Sequence, residues 1–483
     1  MDKRDGSMPV ISSETSPLLN RRGQNAAEDA PGASLPQTTA PSTELKLILK
    51  RSCPLICTFM MEHSFTAVTI FSVGDIGTVE LSATSIGSLT ANMTGYAVFQ
   101  GLASCLDTLC PSAYGSGNEK LVGLHFQRMT CFLLLICIPI AFLWINSAAI
   151  LGHFVRQEEV VKMAALYLRV LILGAPGYAI FECGKRFMMA QGPNMWILIF
   201  CAPLNCFLNW LFVWKLGWGF IGAPISVVIV ETLLPVLLFI YAYWIAGYEC
   251  WNEFTIAAFQ NWWPMVKLAV PSAVMVFAEY MAFEIITVSS SFISLEHLAA
   301  QTILSTITAT AFMIHFPISI AASTRVSTFI GEGRADAAKT TAKVSGCVAL
   351  VVGTLIFILL MSLRNVIPPL MTNSPDVIAL TSASMPFFGL VQICDSLAGS
   401  CNGILRGIGK QKVGGWAALV SYYAVGIPIS LACGFGLHWN LPGLALGVGV
   451  GLGLVALIEV CYMSRTQWED MIEKSDDGFL GQP

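Results

Sequence analysis

Apolar residues along the chain fall into twelve blocks, separated by short stretches that are polar or contain glycine and proline. Each block is close to the ~20 residues that an α-helix needs to cross the hydrocarbon core of a bilayer. The pattern therefore predicts an all-α integral membrane protein with twelve spanning helices. We place them at 53–73, 85–108, 129–151, 162–181, 195–214, 221–246, 266–290, 298–323, 344–363, 378–401, 414–437 and 441–463.

The polar stretches divide the chain further. Residues 1–45 are rich in Ser, Thr, Pro, Gly and Asn, which predicts a disordered tail, and residues 464–483 form a second tail. Residues 247–263 carry several aromatic side chains, which predicts an amphipathic helix in the membrane interface. The spans then form an N-lobe at 46–246 and a C-lobe at 264–463.

Three landmarks recur between the two halves at a nearly constant spacing, which indicates duplication of a six-helix unit. Because six is even, both copies enter the membrane in the same orientation, an arrangement typical of secondary transporters. The matched stretches are 114–117 with 330–333, 191–193 with 408–410, and 219–223 with 440–444.

The Lys and Arg residues indicate the orientation. With both termini in the cytosol, all but five of the 26 Lys and Arg residues lie in inner loops, inner helix ends and tails, as the positive-inside rule requires. The exceptions are Arg156, Lys162, Arg169, Lys215 and Arg364. In the first tail, Glu14 to Leu19 resembles an acidic dileucine sorting signal, which favours the vacuolar membrane over the plasma membrane.

Composition supports the membrane assignment and excludes several functions. Charged residues make up 12% of the chain, about half the ~25% of soluble domains, and mean hydropathy is +0.69. The 15 cysteines lack metal-ligand spacing. A phosphate-binding loop, a nucleophile motif and a basic nucleic-acid patch are also missing from the sequence. We therefore predict that the protein is not an enzyme, needs no cofactor or nucleic acid, and uses an ion gradient.

The candidate chemistry centres on the seventh span, where Glu279 and Glu284 lie in an apolar run with Tyr280 and Phe283. An ionisable group at bilayer depth costs at least ~2.5–3.5 kcal/mol, so it is rarely there without a function. The two carboxylates are about 140° apart around the helix. They can face one cavity, or one can meet a neighbouring helix; capping of both by packed hydroxyls or amides is the alternative.

Asp395 in the tenth span adds a third C-lobe carboxylate. Carboxylates that converge in a region of low dielectric bind protons more readily than they do in water. Protons and a cationic substrate then compete for the same negative charge, which gives exchange. Tyr280 and Phe283 would offer π faces worth about 0.5–2 kcal/mol to an organic cation, unless they only contact lipid or core.

Other ionisable residues are weaker candidates. Glu62 and His63 in the first span predict either an N-lobe proton site or a local contact that locks two helices. Glu231 and Glu459 lie within the sixth and twelfth spans and could face the central cleft. Tyr422 in the eleventh span is a candidate pocket residue with Glu62 and Glu231.

Polar residues near span ends have simpler explanations. Snorkelling and helix capping account for Asp107, Glu182, Lys185 and Arg186 at inner helix ends. His315 lies two residues before Pro317, so we expect it to mark a kink and to contact a backbone carbonyl.

Four stretches carry a resemblance to eukaryotic multidrug and toxic compound extrusion (MATE) transporters, with a fungal character. They are GLASCLDTLC at 101–110 followed by AYG, RFMMAQ at 186–191, ASTRVS at 322–327 and LRGIGKQK at 405–412. The resemblance runs from about residue 46 to 463. It implies two six-helix lobes arranged in a V that open alternately to the two sides.

The resemblance also implies export of organic cations in exchange for protons or sodium ions. The family's coupling carboxylate on the seventh helix matches Glu279, with Glu284 second, and its acid on the tenth helix matches Asp395. One departure is Ala299-Ala300-Gln301-Thr302, where some relatives carry a glutamate.

From these observations we predict a monomeric proton-coupled exporter of amphiphilic organic cations, with coupling at Glu279, Glu284 and Asp395. Its partners are those cations, protons and the lipid bilayer. A sodium-coupled exporter, a flippase for lipid-linked substrates and a non-transporting receptor or scaffold remain as alternatives. A flippase would need cations in its cleft to hold phosphates, whereas the intramembrane charges here are mostly acidic.

Overall fold

The computed structural model describes residues 39–74, 76–153, 157–191, 196–244, 250–251 and 254–472, and this part of the chain is mainly helical. The α-helices are α1 (Pro41–Gly74), α2 (Thr78–Ala91), α3 (Ala97–Ala103), α4 (Leu106–Gly115), α5 (Glu119–Ile145), α6 (Ser147–Leu151), α7 (Glu158–Leu171), α8 (Ala175–Gln191), α9 (Trp196–Asn209), α10 (Gly222–Trp244), α11 (Trp263–Ser291), α12 (Leu295–Gly331), α13 (Ala335–Leu363), α14 (Ile367–Met371), α15 (Pro375–Gly407), α16 (Gln411–Leu419), α17 (Ile427–Leu431) and α18 (Asn440–Arg465). Within the described residues, π segments lie at Asn92–Tyr96, Trp210–Lys215, Val420–Gly426 and Ala432–Gly436, and 3-10 turns at Gly219–Ile221 and Ile256–Phe259.

The helices have the length and polarity of membrane spans. Among the described residues, ten helical runs are long and apolar enough to cross a bilayer, and α7 with α8, bent by 54°, form an eleventh. The block predicted at 85–108 is divided among α2, a π segment, α3 and α4. Large side chains such as Phe142 and Trp244 are 71% and 80% exposed, as contact with lipid requires. The chain is an integral membrane protein.

Backbone conformation repeats between the two halves. Three pairs of residues share a positive φ, a region that favours glycine, and each pair has the spacing of the predicted repeat. The pairs are Gly117 with Gly333 (77° and 73°), Gly217 with His438 (67° and 55°), and Gly219 with Asn440 (57° and 51°). In each half, a π segment comes directly before the residues of the last two pairs: Trp210–Lys215 in the first half and Ala432–Gly436 in the second. The predicted duplication is confirmed.

The lobes are joined at one face, which holds the C-terminal ends of α4, α12 and α15 and is called the inner face below. The Thr108 hydroxyl donates to the Arg406 carbonyl oxygen, and Ser327 Oγ donates to the Thr108 carbonyl oxygen at 2.6 Å. Gln411 Nε2 donates to Thr108 Oγ1 at 2.7 Å. These buried bonds close the cleft between the lobes at the inner face.

Two backbone approaches at the inner face mirror each other. A Cβ on Gly115 would overlap the Thr328 carbonyl oxygen, and a Cβ on Gly331 would overlap the Ser112 carbonyl oxygen. Residues 328 and 331 follow 112 and 115 by the same repeat distance. The contact therefore has pseudo-twofold symmetry, and only glycine allows such close packing.

Helix α1 crosses from one lobe to the other. Glu44 accepts hydrogen bonds from Arg325 at 2.7 Å and from Thr341 at 3.1 Å, and Ile48 packs against Ile318 of α12. Because α1 begins at Pro41, the last five residues of the predicted tail are helical. The dileucine-like stretch, the rest of that tail and residues 473–483 lie outside the described residues.

The segment between the lobes differs from the predicted amphipathic helix. Its described residues include a 3-10 turn, Ile256–Phe259, flanked by extended backbone at Thr255 and Gln260 and by a positive φ of 55° at Asn261. These conformations break helical hydrogen bonding. Phe254 nevertheless remains 79% exposed, consistent with an interfacial position.

Candidate cation and proton site

The C-lobe brings three carboxylates together. Glu279 on α11 is half-buried, whereas Asp395 on α15 and Glu459 on α18 are buried. Glu279 lies within electrostatic range of Asp395 and Arg406. The Tyr422 hydroxyl is within range of all three carboxylates. The structure therefore places Glu279, Asp395 and Tyr422, which the sequence predicted, in one site.

A π segment positions Tyr422. Its neighbour Tyr423 donates a hydrogen bond to the Ala278 carbonyl oxygen at 3.4 Å, directly before Glu279. A π segment adds a residue to a helical turn and is common at functional sites. The Tyr422 hydroxyl has no hydrogen-bond partner in the described part of the chain, although the side chain is buried.

Asp395 has two polar neighbours. Gln392 Nε2 donates a hydrogen bond to its Oδ2 at 3.4 Å, and His315 Nε2 lies 3.3 Å from the same oxygen. The expectation that His315 contacts a backbone carbonyl was wrong: both ring nitrogens lack a hydrogen-bond partner within the described residues. The imidazole packs edge-on against Phe312 and lies beside α15, a pairing between helices that spacing within one helix could not reveal.

Glu284 lies apart from this cluster. It is half-buried, and no charged neighbour of its carboxylate is found among the described residues. Phe283 packs against the C-lobe core. Of the two arrangements that a separation of about 140° allows, the structure shows the one in which Glu284 lies outside the cluster of Glu279 and Asp395. Glu459 takes the third place instead.

Tyr280 lies in the cleft between the lobes. Its hydroxyl is within electrostatic range of Glu279 in the C-lobe and of Glu62 and Glu182 in the N-lobe. The side chain is 42% exposed, so its ring is accessible. An exposed aromatic face between two groups of carboxylates suits an organic cation.

Glu459 is buried without a visible counterion. Neither carboxylate oxygen has a hydrogen-bond partner among the residues that the structure describes. Arg406 and Glu279 are its electrostatic neighbours. The sequence marked Glu459 as a cleft candidate but gave no sign of Arg406, whose guanidinium lies 5.5 Å from the Phe316 ring.

The N-lobe acids are paired with cations. Lys185 Nζ lies 3.0 Å from Glu62 Oε2 and 2.6 Å from Glu182 Oε1. Arg186 binds Glu182, and its Nε is 3.4 Å from Asp107 Oδ1. Their side chains are at most 4% exposed apart from Glu62 at 17%, so snorkelling was the wrong explanation. Helix α8 continues past the predicted span end and keeps these residues inside the lobe.

Glu231 forms a smaller N-lobe feature with Tyr96. Glu231 is buried, and its carboxylate is the nearest charged neighbour of the Tyr96 hydroxyl. The Tyr96 ring packs edge-on against Tyr178 at 4.6 Å. Glu231 is thus separate from the C-lobe cluster.

Comparison with known proteins agrees with this architecture. The family model described as MatE matches residues 54–211 and, a second time, residues 271–431. The chain belongs to the MatE family. The two matches also begin 217 residues apart, the spacing of the internal repeat.

Relatives of this MATE protein include an uncharacterized transporter of Schizosaccharomyces pombe, 37% identical over 90% of this chain and 82% of that protein. Mouse multidrug and toxin extrusion protein 2 is 32% identical over 87% of this chain and 74% of its own length. A crystal structure of a eukaryotic MATE transporter superposes with a TM-score of 0.85 at 25% identity, covering 90% of this chain and 99% of that one.

Three predictions are confirmed by these matches. The chain resembles eukaryotic MATE proteins with fungal relatives, it has the fold of twelve helices in two lobes, and it is a transporter and not an enzyme.

Proposed function

We propose that this MATE transporter is a secondary antiporter that exports amphiphilic organic cations and other xenobiotics from the cytosol in exchange for protons. Glu279 and Asp395 would couple the two movements. The observation that carries the proposal is the cluster of C-lobe acids near the accessible Tyr280 ring, which form no ion pair with a Lys or Arg of the described residues. The printed name of the mouse relative, multidrug and toxin extrusion protein 2, agrees with this substrate class.

Coupling follows from the charge of the site. Among the described residues, no Lys or Arg forms an ion pair with Glu279 or Asp395, and His315 is the only basic group within 4 Å of Asp395. A carboxylate that is poorly solvated and unpaired takes up either a proton or a cation. Binding of one ligand therefore opposes binding of the other, which is the requirement for exchange.

The closed inner face supports a direction for the proposed cycle. By the positive-inside rule, the inner face is cytosolic. The hydrogen bonds of Thr108 then close the cytosolic side, and the cleft opens to the opposite side, the vacuolar lumen if the sorting signal acts. In this state a proton from the lumen would reach Glu279 and displace the substrate cation. A monomer suffices for this cycle.

Two other functions make different demands on the site. Sodium coupling would use the same carboxylates, since sodium ions also bind oxygen ligands. A flippase for lipid-linked phosphates would need accessible cations in the cleft, whereas Lys185 and Arg186 are already paired with acids.

Transport in proteoliposomes tests the proposal. Ethidium uptake is measured under an imposed pH gradient without sodium for the wild type, Glu279→Gln and the control Asp336→Asn, which removes an exposed carboxylate of the same lobe. We expect uptake to follow the gradient in the wild type and the control. We expect Glu279→Gln to lose at least about tenfold, equivalent to ~1.4 kcal/mol, with an unchanged elution profile.

Each result has a distinct meaning. Uptake that requires sodium would retain the site and replace the coupling ion. Wild-type activity of Glu279→Gln would refute the site. Absence of uptake under both a pH gradient and a sodium gradient would refute either organic cations as the substrate class or ion-coupled antiport.

A further inference from the structure

The Lys185 ammonium lies in a cage of acids and aromatic rings. Its Nζ is 3.0 Å from Glu62 Oε2, 3.4 Å from Glu62 Oε1 and 2.6 Å from Glu182 Oε1. The Phe59 ring centroid is 4.6 Å away and that of Phe181 is 5.6 Å away. Carboxylates together with aromatic faces are the groups that recognise an alkylammonium ligand.

The cage lies at the position of the C-lobe site in the duplicated fold. The two family matches begin at residues 54 and 271, and the same 217 residues separate Glu62 from Glu279. At that spacing, Lys185 corresponds to Asn402. Both lobes therefore carry a glutamate at the equivalent place of their first helix, and only the N-lobe carries a lysine beside it.

We infer that the N-lobe contains a second organic-cation site, specific for a primary alkylammonium group, which is permanently occupied by the chain's own Lys185. The lysine takes the place that a free cation would take. This inference concerns the N-lobe and does not depend on the coupling ion or the substrate of the C-lobe.

Charge balance explains why an ammonium ligand is held there. Three carboxylates, those of Glu62, Glu182 and Asp107, face three cations. Lys185 and Arg186 form ion pairs with them, and Arg406 is a further electrostatic neighbour of Asp107. The Tyr178 hydroxyl donates to Glu182 Oε1 at 3.3 Å, which further stabilises the carboxylate. Removal of Lys185 would leave buried negative charge and a space with the length of its side chain, which attracts a small cation.

Chemical rescue tests the inference. Lys185→Ala removes the Cγ, Cδ and Cε carbons and the ammonium group. The n-propylammonium ion has the same three carbons and ammonium group and can replace them. Thermal unfolding of the purified full-length chain is followed with increasing propylammonium chloride at constant ionic strength. We expect Lys185→Ala to unfold at a lower temperature than the wild type and to show a saturable rise in Tm with the amine.

Three controls separate charge recognition from other effects. n-Propanol has the same size without charge and should give little rise in Tm. Lys339→Ala, which removes an exposed lysine, should not respond to the amine. The double variant Lys185→Ala/Glu62→Gln lacks one carboxylate of the cage and should respond at least severalfold more weakly than Lys185→Ala.

The outcomes decide the inference. An equal response to propanol and the amine, or an equal response of the wild type, would overturn it. If Lys185→Ala is not recovered in folded form, the variant is expressed with either compound in the medium. Recovery with propylamine alone then supports the site, and failure with both compounds counts against it.

Discussion

Each lobe has a glutamate at the equivalent position of its first helix, and only one of the two forms an ion pair. Glu62 and Glu279 occupy equivalent positions of the duplicated unit, but Glu62 lies 3.0 Å from Lys185 Nζ, whereas Glu279 forms no ion pair among the described residues. Asn402 stands where the C-lobe would carry the lysine. The two acids hold equivalent positions along the first helix of each half, so that position alone does not determine their roles.

The difference shows that a partner decides whether a buried acid is structural or available. A paired carboxylate is already neutralised, and breaking the pair leaves an uncompensated charge. An unpaired carboxylate must acquire a proton or cation from outside the chain. Glu62 and Glu182 of the N-lobe thus hold helices together through ion pairs, whereas Glu279 of the C-lobe forms no ion pair among the described residues.

The largest effect on transport should come from giving the C-lobe the lysine of the N-lobe. In Asn402→Lys, the ammonium is expected to neutralise Glu279 as Lys185 neutralises Glu62. We expect ethidium transport to fall about 100-fold, equivalent to ~2.7 kcal/mol, while the protein remains folded. Asn402→Met is the matched control because it has similar length without charge. Equal losses in both variants would indicate a steric effect and contradict the comparison.

Loss of an N-lobe cation should mainly affect stability. Arg186→Met leaves Glu182 and Asp107 without one of their partners, so we expect the free energy of unfolding to fall by ~3–5 kcal/mol. Thermal unfolding in detergent measures the change beside Glu279→Gln, which removes no ion pair and should shift Tm much less. A larger shift for Glu279→Gln would reverse the assignment of structural and available acids.

The smallest effects should be found where the lobes still match. Gly115→Ala and Gly331→Ala each place a Cβ against a backbone carbonyl across the inner face, so we expect each to weaken the closed inner contact by ~1–3 kcal/mol. Maleimide labelling of the buried Cys110, resolved by mass spectrometry, should increase in both variants. Strongly unequal labelling would show that the inner contact has lost its pseudo-twofold character.

The sequence predicted those site residues whose position along a helix determines their environment. Glu279 and Asp395 lie inside long apolar runs, where the cost of an ionisable group marks them directly. The twelve spans and the repeat also follow from local patterns. The position of Glu284 outside the cluster did not follow from the sequence. It depends on which side of α11 faces the cleft, and the packing of other helices determines that side.

The N-lobe pairs could not be predicted for a related reason. Lys185 and Arg186 follow the apolar block that ends near residue 181, so the pattern favoured an interfacial position. Helix α8 continues to Gln191 and buries both side chains against α1 and α4. Only tertiary structure brings Glu62 to Lys185, and the same is true of His315 and Asp395.

The mirrored contact of Ser112 with Gly331 and of Gly115 with Thr328 has an evolutionary consequence. In a twofold homodimer, if residue i of one chain contacts residue j of the other, then residue j of the first chain contacts residue i of the second. The same reciprocal contact is seen here between the two halves of one chain. The inner face therefore retains the form of an interface between two identical six-helix proteins. Two identical chains would have carried two identical sites, so the difference between positions 185 and 402 requires that each half has a sequence of its own.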